Sequence, residues 1–548
     1  MTRTTTLRDP QDVKKKNNLG SLQLRHVDSN QIILIPTPTN DPNDPLNWST
    51  RYRWYIVILV SAAIFFCNFL AAGPTVVITQ VTADFFGPPT VNPHFVADIS
   101  KTAYFFTTTA LMQGIGAFLW MPLIAKYGRR PVYVSSFVLY TICAAWAGAS
   151  TTYGSELASR ILMGVAAGAA EVLAPLTISD IFFLHERGTV MAVYTCALSA
   201  GASGGIIVAG LISIHNGWRT IYWVATALIG TCTLFVIFTF PETIYLRDAA
   251  ASREVAQHDS TKLDLESKGP VTSQIDDTSA STTTTANIPE KRSYASSLRI
   301  YSGTYTQESL LKLFIRPTAF LILPQVLWAT LVMSGTIGFL VAITSNFAPA
   351  FETAYGFEPW QAGLCFLAAV IGAFIGIFVG GHFSDWIADK QTQRNGGIRE
   401  PEMRLPAILV SVVTAPLALI LYGVGIQYKL HWICPTIALG LINFSIVQAT
   451  NVSLTYSIDC YRPVAGEVVV TQMAWKSAFG FLLSFYTNPW VEKSGYLNAY
   501  GAMAGISGGL IVLGVPFFFW GARIRSATWH WAPVRKFVHW DEDREVGE

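Results

Sequence analysis

Hydrophobic residues along the chain gather into twelve long runs separated by polar stretches. They lie at approximately 54–80, 102–124, 132–149, 157–182, 190–214 and 221–240, then at 317–345, 360–381, 407–427, 431–454, 466–488 and 499–522. Each is near the roughly 20 residues an α-helix needs to cross about 30 Å of hydrocarbon. The pattern predicts an all-α membrane protein of twelve transmembrane helices. The first run begins after some 53 polar residues, so no cleavable signal peptide is expected.

One polar stretch is far longer than the rest. Residues 241–316 separate the sixth run from the seventh, and their Ser/Thr-rich core from Ser273 to Ala286 has too little apolar area to bury. The predicted organisation is a cytosolic N-terminal tail (1–53), a six-helix bundle (54–240), a disordered cytosolic linker (241–316), a second six-helix bundle (317–522) and a cytosolic C-terminal tail (523–548). The loop after the second run reads Met121-Pro-Leu-Ile-Ala-Lys-Tyr-Gly-Arg-Arg130, and the loop after the eighth, Gly381-His-Phe-Ser-Asp-Trp386, faintly echoes it. Such an echo suggests two pseudo-symmetric bundles with a site between the repeats.

Charge sets the orientation. Of the 37 Lys and Arg, 31 fall in segments on the side of the two ends, 4 in the opposite loops and 2, Arg160 and Lys476, within runs. Basic residues favour the cytosolic side, so both termini are expected there. Composition removes other classes. The chain is 51% hydrophobic and only 13% charged, about half the charge of a soluble domain. A net charge of +2 with no basic stripe argues against a nucleic-acid partner. The seven cysteines stand far apart without metal-ligand spacing and read as small core residues. There is no P-loop, so no ATP-driven pump or enzyme is expected, and no cofactor or metal. An ion gradient remains as energy source; one proton crossing 100 mV releases about 2.3 kcal/mol.

The fourth run carries the most chemistry. Arg160, Gly164, Gly168, Glu171 and Pro175 fall within one roughly 80° sector at about 100° per residue, and an ionisable group in hydrocarbon costs at least about 2.5–3.5 kcal/mol. That sector is expected to face an internal cavity, with Glu171 available for reversible protonation or for holding a cation, or in a static pair with a neighbouring polar helix. Lys476 is the second buried charge; it lines the cavity or snorkels to the inner surface. Gln113, Asn68, Gln325, Trp328, Gln448 and Asn451 are further candidates, each open to the plainer reading of helix-to-helix hydrogen bonding. Gly201, Gly205 and Gly210, and Gly372, Gly376 and Gly380, are expected to let helices approach closely.

Several of these stretches resemble the major facilitator superfamily, and within it the fungal twelve-span drug:proton antiporter-like group, over roughly residues 41–525. Lys126, Gly128, Arg129 and Arg130 match the family's G-x-x-x-D-[RK]-x-G-R-[RK] loop, where Met121 and Ala125 replace the glycine and the acid. Gly381 and Asp385 match it in the second half. Arg160 and Gly164 match the R-x-x-x-G pattern of span 4. Gly201, Gly205 and Gly210 resemble the span 5 antiporter signature, with Ile206 in place of its proline and Ala209 of a glycine. Asp41 to Trp48, Gly217-Trp-Arg219, Pro241-Glu-Thr243 and Arg399 to Leu405 are further likenesses to the fungal group.

The resemblance implies a monomeric secondary transporter working by alternating access, with a small-molecule substrate, protons and the lipid bilayer as partners. Lys126, Gly128, Arg129, Arg130, Asp180 and Asp385 would form a cytosolic gate, with Asp180 paired to the arginine loop and Asp385 supplying the corresponding acid in the second half. Three activities are compatible with these residues. The first is proton-coupled efflux of a drug, toxin or secondary metabolite. The second is proton-driven import of a small cationic nutrient such as a polyamine, and the third a non-transporting sensor on the same fold. The family default is the plasma membrane, with the vacuolar membrane second.

Overall fold

The computed structural model describes residues 22–25, 32–245, 291–301, 303–529 and 531; the Ser273–Ala286 run lies outside them. The first bundle comprises α1 (Thr50–Ala72), α2 (Tyr104–Tyr127), α3 (Arg129–Ala149), α4 (Tyr153–Ile181), α5 (Arg187–Ile212) and α6 (Arg219–Thr239). The second comprises α7 (Pro324–Tyr355), α8 (Pro359–Ile377), α9 (Leu409–Gln427), α10 (Ile433–Cys460) and the run Ala465–Val512, which holds α11 (465–494) and α12 (496–512), with the helix Val515–Trp529 after it. Large apolar side chains such as Phe519, Phe378, Val413 and Leu482 stand more than 60% exposed. Water would penalise such a surface, and a bilayer solvates it.

Two polar stretches behave differently from their composition. The gap expected between runs eleven and twelve is helical on both sides of one residue, Gly495, at φ 78 and ψ 161. Without a Cβ, glycine turns this corner where another residue would be strained, and Tyr496 N donates to Gln427 Oε1 of α9 at 2.9 Å to fix it. The ends of the central linker are also built into the fold. Residues Leu310–Phe320 form a helix against α2 and α11, with Phe314 on Phe118 and Arg316 3.5 Å from Glu467.

At the other end of the linker Glu242 accepts from Arg129 N at 3.0 Å and Arg130 N at 3.1 Å, capping α3, and from Thr243 N and Ile244 N. A Cβ on Gly128, at φ 104, would lie 2.3 Å from the Glu242 carboxylate, so only glycine fits between them. Losing a helix cap costs about 0.5–2 kcal/mol. Glu242→Ala is expected to lie near the top of that range, because four amides lose their acceptor. Thermal unfolding of the purified protein measures it, and an unchanged midpoint would refute the cap.

Packing repeats between the halves. In the first, α2 packs on α4, α1 on α5, α3 on α4 and α3 on α6; in the second, α8 packs on α10, α7 on α11, α9 on α10 and α9 on α12. The same correspondence exchanges the two main contacts between halves, α2 with α11 and α5 with α8. Glycines set several of these distances. A Cβ on Gly168 would lie 2.4 Å from Gln113 O, and one on Gly372 2.0 Å from Gly440 O, at matching seams. Gly201 and Gly205 press on Phe65 and Phe69 of α1, and Gly376 and Gly380 on α10. All of these lie inside one half; Gly210, against Pro359 and Trp360 of α8, is the member of the glycine rows that sits between halves.

Candidate functional site

An even number of crossings returns the start of α1 at Thr50 and the end of the last helix at Trp529 to one face, the terminal face. A cavity opens between the halves on the opposite side. It is walled by the later part of α1, the beginning of α2, the middle of α5, the later part of α7, and Gly480 and Ser484 of α11, around about 1090 Å³ of atom-free space, mouth included. Its polar groups are amides and hydroxyls, among them Asn68, Gln113, Thr107, Ser199, Ser345 and Ser484; the rest is apolar, and among the described residues no charged side chain lines it.

One helical turn from Gly480, toward the terminal face, lies a buried ion pair that joins the halves. Lys476 Nζ of α11 donates to Glu171 Oε1 of α4 at 2.6 Å, with the two side chains 7% and 1% exposed. Glu171 Oε2 is buried with no hydrogen-bond partner among the described residues. The Tyr194 hydroxyl donates to the Glu171 carbonyl at 3.2 Å, fastening that turn of α4 to α5. Ser199 at the end of the cavity reinforces the join, its hydroxyl donating to Asn443 Oδ1 of α10 at 2.5 Å, while Gln113 Nε2 is buried with no hydrogen-bond partner among the described residues. Ser199 and Asn443 escaped the sequence reading, since a lone serine or asparagine in an apolar run carries no distinguishing pattern.

Arg160, expected on the cavity wall beside Glu171, is turned away from it. Three turns along α4, it is fully buried, donating to Glu156 Oε1 at 3.3 Å, to Leu70 O at 3.1 Å and to the Tyr222 hydroxyl, with its guanidinium over the Phe106 and Tyr222 rings. The carboxylate that neutralises it, Glu156, lies one residue outside the predicted fourth run, which hid the pair from view.

Four other polar candidates are structural. Gln325 donates to Gly521 O and accepts from the Tyr461 hydroxyl, and Trp328 donates to Leu510 O, so both hold α7 to its own half. Gln448 bonds Ser411 and Ala407 O within the second half. Asn451 crosses between halves, its Nδ2 donating to Gly380 O at 2.6 Å and to Gly188 O at 3.2 Å. In the cavity wall, Asn68 donates to Ile64 O of its own helix.

The terminal face is closed in this conformation. The α2–α3 loop is tied to its own half, with Arg129 3.2 Å from Asp180 and Arg130 on the Phe240 and Ile237 carbonyls, and to the linker, where Tyr305 N donates to the Lys126 carbonyl. Asp385 stands apart from that loop, in the equivalent stretch of the second half. The pseudo-symmetry sets it beside the first turn of α5, where Thr189 donates to it at 3.1 Å and a Gly188 Cβ would lie 2.0 Å away. Arg404 Nη1 is 2.9 Å and Arg399 Nη2 3.9 Å from it. Burial and then the neighbouring Arg404 push the Arg399 guanidinium down to about 10, against Asp385 and Asp459, leaving it charged at neutral pH.

Two bundles exchanged by a pseudo-two-fold, with a cavity between them, are the architecture of a carrier, and the sequence carries the same signature. The Major Facilitator Superfamily profile matches residues 55–461, and the chain belongs to that family of membrane transporters. It is 26% identical to an uncharacterized MFS-type transporter of Schizosaccharomyces pombe, with 91% of this chain and 88% of that one covered. It is 26% identical to Protein HOL1 of Saccharomyces cerevisiae, covering 92% of each, and 25% identical to the efflux pump radE of Floropilus chiversii, covering 89% and 84%. The fold matches the human organic anion transporter MFSD10 with TM-score 0.59 at 13% identity, over 84% of this chain and 99% of that one. It matches the proton:xylose symporter XylE with TM-score 0.57 at 14% identity, over 86% and 96%.

Proposed function

We propose that this transporter exports a small, uncharged, lipophilic organic molecule in exchange for protons, with both termini cytosolic, as a monomer in the plasma membrane. The observation that carries the reading is a charge-free cavity ending beside a buried ion pair that joins the two halves. A neutral solute with hydrogen-bonding groups meets amides and hydroxyls there, whereas a permanent cation would leave water for a cavity without a counter-charge. Efflux pumps such as radE among the relatives support the same direction.

Glu171 and Lys476 are the coupling pair in this reading. In the conformation described, the cavity faces outward and the pair clamps the halves beneath it. A proton arriving on Glu171 from that side removes the carboxylate's charge, releases Lys476 and lets the terminal face open; loss of the proton to the cytosol reforms the clamp. At 100 mV each proton supplies about 2.3 kcal/mol, a roughly 40-fold concentration ratio for one-to-one exchange.

Proton-driven import of a small cation is the second reading. It draws on the unpartnered Glu171 Oε2, which would receive an ammonium group in place of Lys476. Yeast cells stripped of their own pumps, given a labelled lipophilic toxin or a labelled polyamine, separate the two. Wild type is expected to lower toxin accumulation several-fold at external pH 5 and less at pH 7, and Glu171→Gln to abolish the effect. Polyamine uptake that rises with wild type and is lost in the same variant would replace export by import.

A further inference from the structure

The chain ahead of α1 is attached to both halves across the terminal face. Toward the second half, Leu22 and Gln23 pair antiparallel with Arg399 and Ile398 in the α8–α9 loop. Leu24 N and Arg25 N donate to Gly397 O at 2.9 and 3.1 Å. The Arg25 guanidinium grips Asp389 through two bonds of 2.9 Å, and Leu24 is 1% exposed. Gly396 and Gly397 both hold positive φ, 67 and 85, a turn that other residues would make only under strain and that brings this carbonyl to the incoming strand.

Toward the first half the attachments are as regular. Ile35 O accepts from Leu184 N in the α4–α5 loop at 2.8 Å, and Asp41 accepts from the Tyr245 hydroxyl beyond α6 at 2.9 Å. Asp44, fully buried, caps the short turn Pro45–Asn47 that leads into α1. Ile33 N donates to Leu24 O at 2.8 Å, so the two sets of anchors are joined by a direct backbone bond.

We propose that these residues form a strap across the seam between the halves, and that the strap must release the second half before the terminal face opens. Opening separates the α4–α5 loop from the α8–α9 loop, and the strap is bonded to both. The weaker set lies on the second half, where two strand pairs, one turn carbonyl and a partly exposed ion pair can detach together. On the first half the buried Asp44 turn is continuous with α1. The strap thereby favours the conformation with the cavity facing away from the termini. The Arg25–Asp389 pair, its side chains 14% and 35% exposed, contributes up to about five-fold to that preference, and the strand and Leu24 the remainder. This inference holds for any substrate and does not rest on the exporter reading.

A reversible staple tests it. Gln23 and Ile398 stand opposite each other, within the 4.4–6.8 Å Cα separation a disulfide needs. Purified full-length Gln23→Cys/Ile398→Cys protein, in lipid nanodiscs, is compared oxidised and reduced by backbone hydrogen exchange. Oxidation is expected to slow exchange at least several-fold in the first turns of α5 and α11, and reductant to return it to the wild-type rate, with both single variants unaffected. A disulfide that forms without changing those rates would show that the face opens with the strap in place and overturn the proposal. Failure of the two cysteines to link under oxidant would overturn it as well, by refuting the strand pairing.

Discussion

Lys476→Met lowers the stability of the folded protein by about 3–5 kcal/mol and ends transport, while Glu171→Gln/Lys476→Met recovers most of the stability and none of the transport. The expectation follows from burial. With both side chains under a tenth exposed, the pair has little solvent to screen it, and removing one partner strands a charge in an interior that cannot hydrate it. Removing both leaves a neutral amide beside a thioether, which packs at small cost. A double-mutant cycle on thermal unfolding midpoints measures the coupling. Additive losses would mean that the two charges do not depend on each other, and the clamp beneath the cavity would have to be sought elsewhere.

Gly372→Ala is the second large effect. The added methyl would lie 2.0 Å from the carbonyl oxygen of Gly440, so α8 and α10 must separate along a seam that also carries Gly376 and Gly380. Overpacking a close contact costs about 1–3 kcal/mol and more where backbone must move. Gly501→Ala is the matching control, since a Cβ there meets nothing within 4 Å. It is expected to stabilise by about 0.4–1 kcal/mol through reduced freedom of the unfolded chain. Equal midpoints for the two variants would show that the seam tolerates the methyl.

Periodicity made the twelve helices legible, because length and apolarity act locally. It could not reveal partners. Glu171 and Lys476 are each visible as a charge inside an apolar run, yet they stand 305 positions apart and only the meeting of α4 with α11 makes them a pair. The helical sector through Arg160 and Glu171 was sound geometry, but a helix packed on several sides buries every sector, so facing inward did not mean facing the cavity. Gln325, Trp328 and Gln448 failed as cavity residues for the same reason: polar groups in hydrocarbon need partners wherever they point. The corner at Gly495 and the strap residues Leu24 and Arg25 left almost no trace. One turns on a single dihedral angle and the other on a strand of two residues.

The two edges of the closed terminal face are built from unlike materials. At the first turn of α5 the contact is a carboxylate, Asp385, on Gly188 and Thr189, whereas at the first turn of α11 the residue facing Gly466 is Met121, with Leu176 behind it. Ala125 stands where the related loop carries its acid, so the second edge is held by grease and the first by charge. The first is a Thr189 hydrogen bond to a carboxylate only 15% exposed, which added salt screens little. Cooling weakens the hydrophobic edge and spares the first. Temperature thus acts unequally on the two lips of one opening, and in the cold a carrier of this construction yields first at the lip between α2 and α11.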